Sequence, residues 1–224
     1  IAAQYELISV KMEINGIERM LVKEFKRKEM GAVVSDLLLK WQILNRELQT
    51  EQEYIGLYDR LSVILRTRFH ARDLKDKKEI EALSASKLLG EDACPPSFLA
   101  RRMYHNARTC CFRLAGKQED EFNEYRRLLQ LWQENPHQIL LKTKLYKFTL
   151  TNLLHSAAMV GDYSIFPEIL SELKRHPATN NHDKVEDFQA VSFFKLLYLM
   201  NQGNLEAALG EVKEIEMGLK KYKK

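Results

Sequence analysis

The side chains in this chain best suited to acid–base, nucleophilic or metal chemistry are six histidines and three cysteines. His105 with Cys110 and Cys111 is the nearest approach to a metal cluster. A structural zinc site wants four ligands in recognisable pairs, and the step from His105 to Cys110 is not a standard one, so no metal is expected. Cys94, Cys110 and Cys111 make an odd count with two adjacent residues, a poor disulfide framework. Reduced, partly buried thiols in a cytoplasmic protein are the expectation. His176 and His182 flank Ala178-Thr179-Asn180-Asn181 and read as solvated loop residues. Glu119-Asp120-Glu121 could be paired carboxylates, but at a helix N-terminus the dipole alone favours them. Phosphate loops, nucleophile elbows, His-Glu-x-x-His helices and dinucleotide fingerprints are absent from the sequence. The residues therefore point away from an enzyme: no catalytic residue and no cofactor is expected.

The elements that must position these side chains announce themselves by repetition. Met159-Val160-Gly161-Asp162-Tyr163 leads into Ile169-Leu170-Ser171-Glu172-Leu173, and Asn201-Gln202-Gly203-Asn204-Leu205 leads into Val212-Lys213-Glu214-Ile215. A degraded copy runs from Ala115-Gly116-Lys117 to Leu128-Leu129-Gln130-Leu131-Trp132. Each reads as an apolar helix, a Gly that can end it in the left-handed conformation, a polar residue to shape the turn, and a second amphipathic helix. Gly116 and Gly161 lie 45 residues apart, and Gly161 and Gly203 lie 42 apart. A near-constant period of helix–turn–helix units predicts an all-α solenoid of antiparallel helix pairs.

Composition agrees. Apolar residues at 45% and charged residues at 29% suit a folded domain, and the 9 Gly and 5 Pro are too few for a turn-rich sheet protein. No apolar run reaches the ~20 residues of a membrane helix. The start, Ile1-Ala2-Ala3-Gln4-Tyr5, lacks signal-peptide character and an initiator Met, so a fragment of a longer protein is envisaged. The net charge of +4 is gathered at Lys23, Lys26, Arg27 and Lys28 and at Lys220, Lys221, Lys223 and Lys224, where solvated faces explain it better than nucleic acid does.

Helix pairs are expected at 97–114 with 119–133, closed by Asn135-Pro136; at 140–160 with 164–175, closed by His176-Pro177; and at 185–201 with 205–220. Ser164 is the expected cap of the fourth of these helices, because that places Pro167 inside its first turn. In the last helix Leu205, Ala208, Leu209, Val212, Ile215 and Leu219 keep to one stripe. The first helices of the later pairs are apolar on most sides, with Tyr146, Phe148, Leu150, Leu153, Leu154 and Ala157 in one and Phe193, Phe194, Leu196, Leu197, Leu199 and Met200 in the other, which predicts inner helices. Trp41, Trp132, Phe193 and Phe194 read as core. The breaker Gly90-Glu91-Asp92-Ala93-Cys94-Pro95-Pro96-Ser97 divides a less regular helical region, 1–90, from three helix pairs over 97–224 that continue the same solenoid. Helices are expected at 37–48, 57–69 and 79–89. Leu7, Val10, Ile14, Ile17 and Leu21 favour a helix, although Ile8, Val10, Met12 and Ile14 alternate before a hairpin-like Asn15-Gly16.

Gly203-Asn204-Leu205 with Ala208, Gly161-Asp162-Tyr163 with Phe166, and the prolines Pro136 and Pro177 resemble the tetratricopeptide-repeat family, over roughly Ser97 to Lys220. The spacing exceeds the family's ~34 residues, so the helices are lengthened. Leu154, Leu196 and Thr109 stand where the family places a small residue. The resemblance implies a right-handed superhelix whose inner groove binds a peptide or protein, without catalysis. Its groove positions fall on Asn106 and Arg113, Thr151 and His155, and Asn201. The family's Lys/Asn carboxylate clamp is not reproduced. For His155, on a nearly all-apolar helix, a satisfied buried histidine is favoured over a ligand contact.

A protein-interaction scaffold, with a homo-oligomer left open, is therefore the leading expectation. The alternatives are an effector-sensing region of a transcriptional regulator whose DNA-binding domain lies elsewhere, and a helical enzyme with a site around His155, Cys110 and Arg113.

Overall fold

A computed structural model describes residues 7–25, 30–68, 74–90, 92–93, 95–178 and 180–222. Cys94, His70, Thr179, Lys26, Arg27, Lys28, Lys223 and Lys224 lie outside the described residues. Among the described residues every regular element is a helix: α1 (Ile8–Phe25), α2 (Met30–Arg68), α3 (Leu74–Ser84), α4 (Phe98–Leu114), α5 (Gln118–Gln133), α6 (Pro136–Leu141), α7 (Thr143–Val160), α8 (Phe166–Arg175), α9 (Asn181–Asn201) and α10 (Leu205–Tyr222), with a 3-10 turn at Lys87–Leu89. None is long and apolar enough to cross a membrane. The chain forms two compact units, Ile1–Lys117 with Gln130–Gln138 and Gln118–Leu129 with Ile139–Lys224.

In the first unit, α1 runs straight through Asn15-Gly16 as helix. Asn15 is buried, and its side-chain amide donates to the Leu37 carbonyl at 2.9 Å, so it ties α1 to α2 instead of turning a hairpin. α2 is one helix of 39 residues where the sequence pattern predicts two. The polar stretch between them keeps its helical face: Glu51 and Tyr54 are buried in step with Leu57 and Leu61. A partner makes burial of Glu51 tolerable. The Ser97 hydroxyl donates to its carboxylate and, as N-cap of α4, accepts from the Ala100 N–H at 3.2 Å. The Pro95-Pro96-Ser97 breaker therefore lies inside the first unit, where it aims α4 at α2. Cys110 is buried with Leu57, Leu61, Ile64, Ala107 and Leu114. Burial also pushes the half-buried Cys111 thiol up, which disfavours its thiolate.

The second unit is organised by its turns. Gly161 follows α7 with φ +78°; its N–H donates to the Ala158 carbonyl at 3.2 Å and the Asp162 N–H to the Ala157 carbonyl at 2.9 Å. This is a Schellman closure. The same pair of bonds recurs at Gly203, to Met200 and Leu199, and in the first unit at Gly116, to Arg113 and Phe112. The repeated phrase in the sequence is thus a repeated backbone geometry.

The residue after each glycine plays a different part. The Asn204 side chain accepts from the Ala207 N–H at 3.1 Å and caps α10 at once. Asp162 instead accepts from the N–H and hydroxyl of Ser164, at 3.1 and 2.6 Å, and α8 starts only at Phe166. Pro167 does lie in the first turn of α8, but Ser164 is not its cap: the cap position is Ile165, which has no side-chain bond. Pro136 opens α6 instead of closing a pair, and Lys142, with φ −131° and ψ 40°, separates α6 from α7 within the single helix expected over 140–160.

Side-chain partners fix the helix directions. On α9 and α10, Phe188 faces Gly218 and Lys195 pairs with Glu211, so the two run antiparallel. Tyr146 near the start of α7 meets Glu172 and His176 at the end of α8, again antiparallel. Lys144 pairs with Asp183 and Glu186 while Lys147 pairs with Asp187, so α7 and α9 run in the same direction.

Two burial expectations are corrected. α10 packs through Ala208, Glu211 and Gly218, which leaves Leu205, Leu209, Val212 and Leu219 of its apolar stripe exposed. The neutralised Glu211–Lys195 pair lets the helix rotate a carboxylate inward. Likewise α7 and α9 are not buried all round: Phe148, Phe193 and Met200 are exposed, so Phe193 is not core, whereas Trp132 and Phe194 are.

Candidate functional site

The exposed aromatics have a common destination. Between α7 and α9 in the second unit lies a groove of about 700 Å³, walled by Leu141, Phe148, Pro177, Val191 and Phe193 among others. Local sequence explains how each wall is set. α9 starts where Asn180 accepts from the Asp183 N–H at 2.9 Å, while its amide donates to the Asp183 carboxylate at 2.8 Å. That reciprocal bond fixes Asp183 at the groove mouth. Lys144 reaches across to it at 2.8 Å and to Glu186 at 3.0 Å. Deeper in, the nearly buried Lys147 pairs with Asp187.

These pairs set the electrostatics. Lys144 is raised above the usual lysine value, by its bond to Asp183 first and by Glu186. Asp183 is held below the usual carboxylate value by Lys144 and then by Asn180. Three carboxylates thus face two ammonium groups across the groove. The Lys144 ammonium also sits 6.0 Å from the centre of the Phe148 ring, within cation–π range.

Behind the groove, α7 is anchored to α8 by a polar knot. The Tyr146 hydroxyl donates to Glu172 at 3.1 Å, Arg175 pairs with the same carboxylate at 2.8 Å, and the His176 ring nitrogen lies 3.2 Å from it. Burial first, and the Glu172 charge beside it, push the Tyr146 phenol well up, so it stays a donor across the physiological range. Its role here is to hold α7 against α8.

Of the expected groove residues, Thr151 alone lines this groove, half-buried on α7. His155, one turn further along, is exposed, which corrects the expectation of a buried histidine. Asn201 is the exposed last residue of α9. Asn106 and Arg113 are half-buried on α4, in the first unit, and do not belong to this groove. His105 packs edge-on against the Tyr104 ring at 5.2 Å. Among the described residues, no group of three or more His, Cys, Asp or Glu is placed to hold a metal ion.

Sequence reasoning missed Lys144, Lys147, Asp183, Glu186 and Asp187. Their signal was the period itself. Charges on α7 and α9, separated in sequence by nearly the spacing of the glycine turns, are the ones that these two parallel helices bring face to face. Compared with known proteins, the chain matches no family model, no curated protein and no solved structure.

Proposed function

We propose that this chain is a non-catalytic interaction scaffold, a right-handed solenoid of antiparallel helix pairs, and that the α7–α9 groove takes a segment of another protein. The observation that carries the reading is the exposure of Phe148 and Phe193 on the walls of a groove whose charged groups are already paired. Exposed aromatic side chains in a concave site gain most from an apolar anchor. Ion pairs fixed in advance offer polar edges without having to be ordered on binding. The ligand that suits this surface is a peptide with one bulky apolar side chain and polar or basic neighbours, since the rim carries one more carboxylate than ammonium group. Turn and helix direction support the solenoid: Gly161 and Gly203 close α7 and α9, with α8 between, by the same pair of backbone bonds, and α7 and α9 run parallel at nearly the repeat spacing.

The test is selection of peptides from a random library on the folded chain, followed by affinity measurement. Phe148→Ser with Phe193→Ser is expected to weaken selected peptides by about tenfold or more, since each aromatic anchor contributes about 1 kcal/mol or more. Binding that survives the double substitution would place the recognition surface elsewhere.

A further inference from the structure

α1 has two apolar faces, and α2 covers only one of them. Ile8 and Asn15 are buried, Asn15 bonding to the Leu37 carbonyl of α2. Leu7, Val10, Ile14, Ile17 and Leu21 are all exposed. Leu7 belongs to the same helical surface, because its carbonyl accepts from the Lys11 N–H at 3.0 Å. The five residues advance by alternate steps of three and four. That is the seam of a left-handed coiled coil, which asks for a second helix with the same spacing.

The flanking charges say which helix and which way it runs. Along the seam, Lys11 and Glu18 occupy one edge, Glu13 and Met20 the other. In a parallel pair of α1 helices, Glu13 of one copy would meet Glu18 of the other, a like-charge contact made twice. In an antiparallel pair the same-edge residues meet, so Lys11 faces Glu18 twice, and Glu13 faces only Met20. The antiparallel register also stacks Ile14 on Ile17 and Val10 on Leu21, each twice, which gives four aliphatic layers without a gap. We infer that the exposed face of α1 is a dimer interface, on which a second copy of this chain lays its own α1 antiparallel about a two-fold axis. A two-fold axis brings one patch against itself, as a self-complementary seam requires. This interface is independent of the peptide groove.

Sedimentation equilibrium on the whole chain tests it. The chain is expected to show a reversible monomer–dimer equilibrium, and Ile14→Glu with Ile17→Glu to leave a monomer of unchanged helicity, both sites being exposed. Lys11→Glu and Glu18→Lys should each weaken the dimer by about tenfold, each replacing two attractive pairs by two repulsive ones. An equimolar mixture of those two variants should restore dimerisation, because every Lys then faces a Glu again. A parallel pair would instead be tightened by Glu18→Lys, which overturns the antiparallel assignment. A chain that stays monomeric at its highest soluble concentration, or a dimer indifferent to the Ile14 and Ile17 changes, overturns the interface itself.

Discussion

The two units meet the problem of burying helices in opposite ways. In the second, short helices are cut by glycine turns of fixed geometry, and close approaches are made by small residues: Ala208 is buried, and the Phe188 ring occupies the space where Gly218 lacks a side chain. In the first, one 39-residue helix carries a buried carboxylate that accepts from the hydroxyl of a residue 46 positions away. The second unit thus adds local devices, glycine turns and small-residue contacts, to its cross-helix ion pairs, whereas the first sets one long helix around the buried Glu51–Ser97 pair. The two should fail for different reasons.

The largest effect is expected at the tightest contact. Gly218→Leu would drive a side chain into the Phe188 ring and, as overpacking of a fitted helix contact, should cost about 3 kcal/mol. Calorimetry or urea unfolding measures it, and recovery of stability in Gly218→Leu with Phe188→Ala would show that the clash is local. In the first unit the matching experiment removes a partner. Ser97→Ala removes one donor from the buried Glu51 and the cap from α4, and should cost about 1–2 kcal/mol, with Glu51→Leu in the same background regaining part of it. A near-neutral Ser97→Ala would erase the contrast between the units. Smaller again is Gly161→Val, at about 1–2 kcal/mol. No atom obstructs a Cβ there, so the whole cost is the left-handed backbone.

The smallest effect is one of pH. Asp162 is held below the usual carboxylate value by the Ser164 hydroxyl first and its N–H second. A depressed folded-state value means that the turn's contribution is complete above the ordinary aspartate range and is lost as pH falls through the lowered value. Titration of the Asp162 carboxyl by NMR should show that downward shift, and Ser164→Ala should reduce it.

This contrast also explains what the sequence disclosed. The glycine turns at Gly116, Gly161 and Gly203 were legible because a left-handed closure depends on a single residue type. The continuity of α2 through Glu51 was not, because nothing nearby in sequence tells that Ser97 will satisfy a carboxylate 46 residues away. Rotation of α10 was hidden for the same reason: with Glu211 neutralised by Lys195, an apolar stripe can face outward. For the groove, Thr151 came from the resemblance to tetratricopeptide repeats, while the charged rim needed the pairing of α7 with α9. Residue type alone said core for Phe193, and only the open side of α9 shows otherwise.

The central claim, that the α7–α9 groove is the recognition surface, is tested most directly by amide and methyl chemical-shift mapping with a library-selected peptide. The account predicts the largest shifts along Thr143–Thr151 and Asp183–Phe193, with α1 and the outer face of α10 unchanged. Shifts centred on Leu205, Leu209 and Val212, with the groove silent, would contradict it.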